Sequence, residues 1–372
     1  MKGDVSLVEM SPNIYVTSNG VPQDALDVLK QAGNVKIYEG SGAVPRDLIL
    51  KEIPGVDGLF CTVIQKIDGE LIRKADRLKI ISNMSIDFYN VDVPEATKKG
   101  IMVTHAPISV AETVADATFA LLLAVARRIP EADQYVREGK WNVGWQPLMI
   151  AGRNVHGKTL GIYGLGQIGT AVAIRGKGFG MNVIYYSRTR KPILEQEHGF
   201  EYRSFDELLK QSDFLVVLVP TWPEEFEERF GITPENVDQL LPKYLSEHKE
   251  VRWTDTRKSI GERELALMKK TSYIINTGRG QVVDEAALIR ALQEKRLAGA
   301  GLDVYEKEPI TNDNPLLKMR NVVLTPHNGG STVETRTEMA LRAANNLVAG
   351  LRGDVLSDLV NPELLKQIGK RT

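Results

Sequence analysis

Short apolar runs alternate with amphipathic stretches along the first hundred residues of the chain. The apolar runs are short and bounded by polar or turn-forming residues, at positions 14–16, 58–61, 79–81 and 101–103. The stretch 22–32 between the first run and the next has the three-to-four-residue spacing of an amphipathic helix. This alternation predicts βαβ units arranged around a parallel sheet.

A second and more regular alternation begins at Thr159. Six apolar runs predict strands at 159–163, 181–186, 213–219, 271–276, 299–304 and 321–325. Six strands with helices between them predict a doubly wound sheet. Residues 109–129 have a helical pattern that Ser109 would cap and Pro130 would end, and residues 332–351 predict a further helix.

The length of 372 residues exceeds one ordinary domain and favours two domains of roughly 150 residues each. We predict an α/β protein with two Rossmann-like domains. The first is discontinuous and flavodoxin-like, at 1–106 and 331–372, because a helical tail commonly returns to the first domain. The second domain covers 107–330 and carries an insertion at about 222–253, where acidic and mixed charge breaks the alternation.

Composition excludes several classes of protein. Hydrophobic residues at 42% and charged residues at 26% are ordinary for a globular protein, and a net charge of -1 favours neither nucleic acid nor a membrane surface as partner. The single cysteine, Cys61, rules out an intramolecular disulfide and fits a reducing cytoplasm. The beginning of the chain lacks the apolar region of a signal peptide, and the most apolar helical stretch, 117–126, is much shorter than the ~20 residues of a membrane span.

The sharpest local motif is G-x-G-x-x-G, formed by Gly164, Gly166 and Gly169 directly after the strand predicted at 159–163. In a strand–turn–helix context the first glycine permits a tight turn and the second lets the backbone approach a pyrophosphate. The third lets helix and strand pack closely, and the helix N-terminus faces the phosphates. The motif therefore predicts a dinucleotide site, against the alternative of a purely structural turn.

The strand at 181–186 ends in Ser187, Arg188 and Thr189, without the acidic residue that usually binds the ribose hydroxyls of NAD. Arg188 could pair with a 2′-phosphate, and the two hydroxyls could add hydrogen bonds. NADP(H) is therefore favoured over NAD(H), which stays open. A solvated basic loop is the alternative.

Three further strand ends each bring one titratable or charged side chain: Arg279 in INTGRG, Glu308 in GLDVYEKEP and His327 in LTPHNGG. Ligands gather at the carboxyl ends of parallel strands. Arginine can hold a carboxylate and polarise a carbonyl, histidine can protonate an alkoxide, and a carboxylate can hold the imidazolium. Each residue alone also fits a structural role, but their joint placement favours reduction of a 2-oxo acid.

These segments, in this order, resemble the D-2-hydroxyacid dehydrogenase family, and most of all its glyoxylate/hydroxypyruvate reductases. The resemblance extends over nearly the whole chain, with NVDVPEATKKGIMVTHAP and VADATFALLLAVARR in the first part, and YYSRTRK and the W-x-x-x-W-x-P run at 141–147 supporting the subfamily. It implies reduction of a small 2-oxo acid to the D-2-hydroxy acid with NADPH or NADH, in a homodimer and without a metal.

The resemblance also implies roles for individual residues. Arg279 would bind substrate and polarise its carbonyl, Glu308 would pair with the histidine, and His327 would be the acid/base. Backbone amides of Met84, Ser85, Ile86 and Asp87 would bind the substrate carboxylate. The cofactor contacts would be Gly164, Leu165, Gly166, Gln167, Ile168, Gly169, Ser187, Arg188, Thr189, Pro220, Thr277, Gly278, Asp303, Asn328 and Gly329.

The chain departs from the family pattern at three places. Asp87 stands where the substrate loop usually has glycine, Asn328 stands where a hydrophobic residue is more usual, and 222–253 replaces a short connection. The alternatives that stay open are a relative acting on D-lactate, 2-ketogluconate, formate or phosphite, and a non-catalytic NAD(P)-sensing corepressor. The complete set of Arg279, Glu308 and His327 argues against the corepressor, because binding alone requires no proton donor.

Overall fold

Two separate parallel sheets organise the chain, so the predicted fold class is confirmed. The computed structural model describes residues 11–221, 256–354 and 356–364. Met1–Ser109 and Thr332–Thr372 form one unit, and Val110–Ser331 form the other. The predicted insertion at 222–253 lies outside the described residues.

The sheet of the discontinuous unit has the strand order β2-β1-β3-β4-β5. Its strands are β1 (Asn13–Val16), β2 (Asn34–Ile37), β3 (Gly58–Cys61), β4 (Ile80–Asn83) and β5 (Met102–Thr104). The central strands β3 and β4 are buried at every residue. Burial on both faces requires helices on both sides, which explains why these strands are continuous apolar runs.

Within the described residues, five α-helices cover this sheet: α1 (Gln23–Ala32), α2 (Arg46–Glu52), α3 (Gly69–Lys74), α4 (Val93–Lys98) and α12 (Val333–Arg352). Thr332 caps α12, because its side chain accepts a hydrogen bond from the amide of Thr335. Helix α12 packs on α1 and on β3 to β5, and the hydroxyl of Ser82 donates to the carbonyl of Ala343 at 2.7 Å. The helical tail therefore returns to the sheet made by the beginning of the chain.

The second sheet has the order β12-β11-β10-β9-β6-β7-β8. All of its strands are parallel, and successive strands are added on one side of β6 up to β8 and on the other side from β9 onwards. Its strands are β6 (Thr159–Tyr163), β7 (Asn182–Tyr186), β8 (Glu201–Tyr202), β9 (Phe214–Val217), β10 (Tyr273–Asn276), β11 (Gly299–Leu302) and β12 (Val322–Leu324). The six predicted strands are all present, one to three residues shorter at their ends where prediction and structure differ. The two-residue β8 was missed because its apolar pattern is too short to recognise.

Helices lie on both faces of the second sheet: α5 (Ala111–Arg127), α6 (Ile129–Arg137), α7 (Gln167–Gly178), α8 (Pro192–His198), α9 (Phe205–Gln211), α10 (Glu262–Leu267) and α11 (Glu285–Gln293). Strand β9 shows how the core is divided. Phe214 and Val216 face the core of α5 and α7, whereas Leu215 and Val217 face that of α9 to α11. Neighbouring side chains point to opposite faces, so a fully apolar strand serves two cores at once.

Both predicted boundaries of α5 are wrong. The N-cap is Val110, which has no side-chain capping bond, so Ser109 lies one residue too early to be the cap. Pro130 does not end α5 either. The helix ends at Arg127, Arg128 adopts a left-handed conformation with φ of 56°, and Pro130 lies in the first turn of α6, where its missing N–H costs nothing.

Candidate active site

The turn between β6 and α7 requires glycine at two positions. Gly164 has φ of +103°, a conformation that L side chains rarely adopt, and a Cβ at Gly169 would overlap the carbonyl oxygen of Gly164. A Cβ at Gly166 would meet no atom within 4 Å, so this position is open, and Gly166 is also the N-cap of the twelve-residue α7. A backbone free of side chains at a helix N-terminus fits a pyrophosphate.

The loop after β7 is fixed to the glycine turn by Ser187. Its hydroxyl accepts a hydrogen bond from the amide of Leu165 at 2.6 Å. Because the hydroxyl is the acceptor in this bond, it still has a proton to donate. Arg188 and Thr189, the other two residues predicted to contact the cofactor there, are exposed.

Arg190, in the same loop, is held by Glu195. Its Nε and Nη2 bond the carboxylate at 2.8 and 2.7 Å, and the hydroxyl of Tyr185 donates to Glu195 at 2.7 Å. These two donors, Arg190 first, lower the pKa of Glu195 to about 2. The hydroxyl of Tyr185 also accepts from the amide of Lys191 at 2.7 Å. Tyr185 and Glu195 together therefore fix the end of the loop that contains Arg188.

The segment after β10 places Arg279 through its own backbone. The side chain of Asn276 donates to the carbonyl of Arg279 at 3.0 Å and accepts from the amide of Gly278 at 3.1 Å. The hydroxyl of Thr277 lies 2.7 Å from that of Thr118, whose proton is used on the carbonyl of Val114. Thr277 therefore donates to Thr118, a contact with α5 that sequence reasoning did not find.

Asp303, directly after β11, is buried and organises the loop after β12. One carboxylate oxygen accepts from the hydroxyl of Thr325 at 2.6 Å and from the amide of Asn328 at 2.9 Å, and the other accepts from the amide of Gly329 at 2.8 Å. The carbonyl of Asp303 accepts from the amide of His327 at 2.8 Å. Asp303 thus holds residues 325–329, here called the histidine loop, through both the side chain and the backbone of Asp303.

His327 and Glu308 form a direct pair, with 2.6 Å between Nδ1 and Oε2. The other oxygen of Glu308 accepts from the amide of Tyr305 at 3.0 Å, which fixes the carboxylate. The backbone of His327 is left-handed with φ of 52°, an uncommon conformation that the bonds to Asp303 stabilise. About half of the His327 side chain stays exposed.

Electrostatics favour a charged pair. The hydrogen bond that His327 donates to Glu308 raises the pKa of His327, and this outweighs the opposing effects of burial and of the positive charge of Arg279. Burial alone would raise the pKa of Glu308, but the bonds from His327 and Tyr305 hold it below its usual value. Arg279 acts on both groups and therefore lies near them.

The predicted site residues fall in both units. The glycine turn, the loop 187–189, Pro220, and the groups at 277–279, 303, 308 and 327–329 belong to the second unit, where they follow the carboxyl ends of β6, β7, β9, β10, β11 and β12. The carbonyl of Pro220 accepts from the hydroxyl of Thr256. Residues 84–87 follow β4 in the first unit.

The structure is also informative about metals and membranes. In the described residues no cluster of three or more His, Cys, Asp or Glu side chains is arranged to hold a metal ion. Among the helices of the described ranges, none is long and apolar enough to cross a membrane.

Comparison with known proteins agrees with this geometry. The sequence model of the D-isomer specific 2-hydroxyacid dehydrogenase, NAD binding domain, matches residues 119–228 and 226–329, more than half of the chain. The chain belongs to this family. It is therefore an oxidoreductase with a nicotinamide-binding domain.

Relatives within the 2-hydroxyacid dehydrogenase family cover nearly the whole chain. A glyoxylate reductase of Thermococcus litoralis is 44% identical over 96% of this chain and 98% of its own length. Among solved structures, the TT0316 protein of Thermus thermophilus has a TM-score of 0.78 at 37% identity, covering 94% of this chain and 99% of the other. An NADPH-dependent glyoxylate/hydroxypyruvate reductase of Sinorhizobium meliloti, solved with citrate, has a TM-score of 0.71 at 30% identity, with coverages of 94% and 97%.

Proposed function

We propose that this protein reduces a small 2-oxo acid of the glyoxylate or hydroxypyruvate type to the D-2-hydroxy acid, with NADPH as the preferred cofactor. The observation that carries the proposal is the His327–Glu308 pair at 2.6 Å, with Arg279 near enough to act electrostatically on both groups. A cofactor-binding protein without a reaction needs no such proton donor. The glyoxylate reductase from Thermococcus litoralis supports the choice of substrate class.

The reaction follows from the properties of these side chains. Reduced nicotinamide, when bound, supplies the hydride for the carbonyl carbon. Arg279 holds the substrate and draws electron density towards the carbonyl oxygen, and protonated His327 gives its proton to that oxygen. Glu308 stabilises the imidazolium before transfer and keeps the ring oriented through Nδ1, so that Nε2 is the nitrogen that transfers the proton.

Cofactor preference rests on the loop after β7. Arg188 is the proposed partner of a 2′-phosphate, because no carboxylate directly follows β7 and Arg190 is already bonded to Glu195. Ser187 and Thr189 add hydroxyls. Gly164 to Gly169 bind the pyrophosphate, and Pro220, Thr277, Gly278, Asp303, Asn328 and Gly329 complete the contacts.

The roles of the two units follow from these assignments. Val110–Ser331 is the dinucleotide-binding unit, and the discontinuous unit binds substrate through the backbone of residues 84–87. For this protein we propose a homodimer, the assembly that its resemblance to the family implies. A relative acting on D-lactate, 2-ketogluconate, formate or phosphite is the alternative within the same chemistry.

Initial rates for a panel of 2-oxo acids, each with NADPH and with NADH, test the proposal. We expect the largest kcat/KM with glyoxylate or hydroxypyruvate and a preference for NADPH. Formate and phosphite are included as substrates for the oxidative direction with NADP and NAD. If no 2-oxo acid is reduced, the proposed activity is wrong, and equal use of NADH contradicts the assignment of Arg188.

A further inference from the structure

The substrate loop at residues 84–87 lies against the two residues that follow β5. The amide of Ala106 donates to the carbonyl of Ser85 at 2.8 Å, and Nδ1 of His105 lies 2.6 Å from the carbonyl oxygen of Ile86. A carbonyl oxygen can only accept, so Nδ1 of His105 carries the proton in this contact. Two successive carbonyls of the loop are therefore held by two successive residues.

These bonds fix the direction of the amide groups as well. A trans peptide is planar, with its N–H opposite its C=O, so holding a carbonyl also orients the amide that follows it. The amide of Asp87 is already bonded to the hydroxyl of Ser85 at 3.1 Å. The amide of Ile86 has no hydrogen-bond partner within the part of the chain that the structure describes.

The backbone of His105 is itself fixed by a hydrogen bond. Its carbonyl accepts from the side chain of Asn346 at 3.0 Å, and Asn346 also donates to the carboxylate of Asp358 at 2.8 Å. Arg342 bonds both oxygens of Asp358 at 2.8 Å. Asn346 and Asp358 are both buried, so helix α12 and the residues after it anchor the histidine.

We propose that His105 is a positioning residue of the loop that presents the free amide of Ile86 to the carboxylate of the 2-oxo acid. The bond from Ala106 to the carbonyl of Ser85 orients that amide, and the bond from His105 fixes the peptide on the other side of Ile86. His105 does not touch the substrate but acts by holding the peptide that links Ile86 to Asp87, which keeps the backbone at Ile86 in place. This inference rests on the proposed function, because it takes the loop 84–87 as the carboxylate-binding segment. Its new content is the side chain that keeps this part of the loop in place.

An aromatic contact offers another explanation for His105. The ring of Phe88 meets the imidazole edge-on, with 5.3 Å between ring centroids, so His105 could serve only to pack the loop. The two explanations differ in what they require. Packing needs a ring, whereas orientation of the loop needs a hydrogen-bond donor at the position of Nδ1.

Two substitutions separate these requirements. His105→Phe keeps a ring for Phe88 and removes the donor, whereas His105→Asn removes the ring but keeps a donor nitrogen bonded to Cγ, as Nδ1 is. We expect H105F to raise the KM for glyoxylate roughly five- to tenfold, the effect of weakening one hydrogen bond to a charged group. The KM for NADPH should stay the same, and H105N should restore the KM for glyoxylate to within about twofold of the original.

If H105F does not fold, a second variant with an amide side chain tests the same requirement. His105→Gln carries its nitrogen one bond further out, where Nε2 lies, and should raise the KM for glyoxylate although it is as polar as H105N. His156→Leu is the control for loss of an imidazole, because His156 is exposed and takes no part in the loop. H156L should leave both Michaelis constants unchanged.

The inference is overturned if H105F and H105Q bind glyoxylate like the original protein, or if H105N is as impaired as they are. A parallel rise in the Michaelis constants for glyoxylate and NADPH also overturns it, because a general structural defect would affect both. Failure of the proposed function looks different. The unsubstituted protein would then reduce no 2-oxo acid. If only this inference fails, the unsubstituted protein is active and substitution of His105 does not change the KM for glyoxylate selectively.

Discussion

Nδ1 of His327 and Oε2 of Glu308 are 2.6 Å apart, and this contact sets the protonation state of the proposed acid. The bond raises the pKa of His327, so the imidazolium persists at higher pH than it would alone. Reduction consumes the proton of His327, whereas oxidation needs the neutral ring. Reduction should therefore decline as pH rises through the raised pKa, and oxidation should increase over the same range.

Glu308→Gln should move the alkaline limb of the reduction profile to lower pH. The glutamine oxygen still accepts from Nδ1, but the negative charge that favours the imidazolium is gone, while burial and Arg279 still disfavour it. We expect a shift of roughly one pH unit or more. The measurement is kcat for glyoxylate reduction with saturating NADPH across the pH range in which the protein is stable.

His327→Ala is the control for this experiment. It should lose most turnover at every pH while binding NADPH normally, because proton transfer and not dinucleotide binding depends on the ring. An unchanged alkaline limb in E308Q would show that another group sets it. Near-normal turnover in H327A would remove His327 from the mechanism.

The sequence predicted the parallel architecture because buried parallel strands are continuous apolar runs, as in β9 and β10. The sequence also indicated that Arg279, Glu308 and His327 follow predicted strands. It did not predict contacts that depend on tertiary structure. Asp303 was predicted as a cofactor contact, and its three bonds to the histidine loop could not be seen before Thr325 and Gly329 were placed around it. His105 had no motif of its own, since only its distance from Ile86 draws attention to it.

Asp303→Asn should destabilise the loop that holds His327. Both carboxylate oxygens accept hydrogen bonds, and an amide offers only one acceptor, so either Gly329 or the pair Thr325 and Asn328 would face an N–H group. Asp303 is 2% exposed, and an unsatisfied buried donor costs about 1–3 kcal/mol. The shift in the urea unfolding midpoint of the purified protein measures this effect.

Thr325→Val is the matched variant, because it removes one donor to Asp303 and leaves the carboxylate satisfied by two amides. It should cost less than D303N, about 0.5–1.5 kcal/mol. Equal destabilisation by the two variants would contradict the view that Asp303 organises the loop through both oxygens.

Arg188→Ala should raise the KM for NADPH and leave the KM for NADH almost unchanged. A charge-assisted hydrogen bond to the 2′-phosphate contributes about 1.5–3 kcal/mol, or roughly a 10- to 150-fold change in KM. Arg190→Ala is the comparison, and its effect on NADPH should be smaller because that guanidinium is occupied by Glu195. A larger effect of R190A than of R188A would reverse the assignment.

Asp87 stands in the proposed carboxylate-binding loop where the family usually has glycine, and its backbone amide and carbonyl are both hydrogen-bonded. Its carbonyl accepts from the side chain of Asn83 at 2.9 Å, and its φ is not in the left-handed range. A glycine is therefore not needed here for backbone conformation. An exposed carboxylate within several ångströms of the substrate anion would repel it by about 1 kcal/mol or more.

Asp87→Gly should consequently lower the KM for glyoxylate or hydroxypyruvate, by roughly fivefold for a repulsion of about 1 kcal/mol, and leave the KM for NADPH unchanged. Asp87→Asn distinguishes charge from backbone freedom, because it neutralises the side chain without adding glycine's flexibility. If repulsion is the cause, both variants lower the KM to a similar extent and the gain shrinks at high salt, since screening weakens the repulsion in the original protein. A lower KM in D87G alone would point to loop flexibility instead. An unchanged or higher KM in both variants would mean that the carboxylate of Asp87 does not repel the substrate.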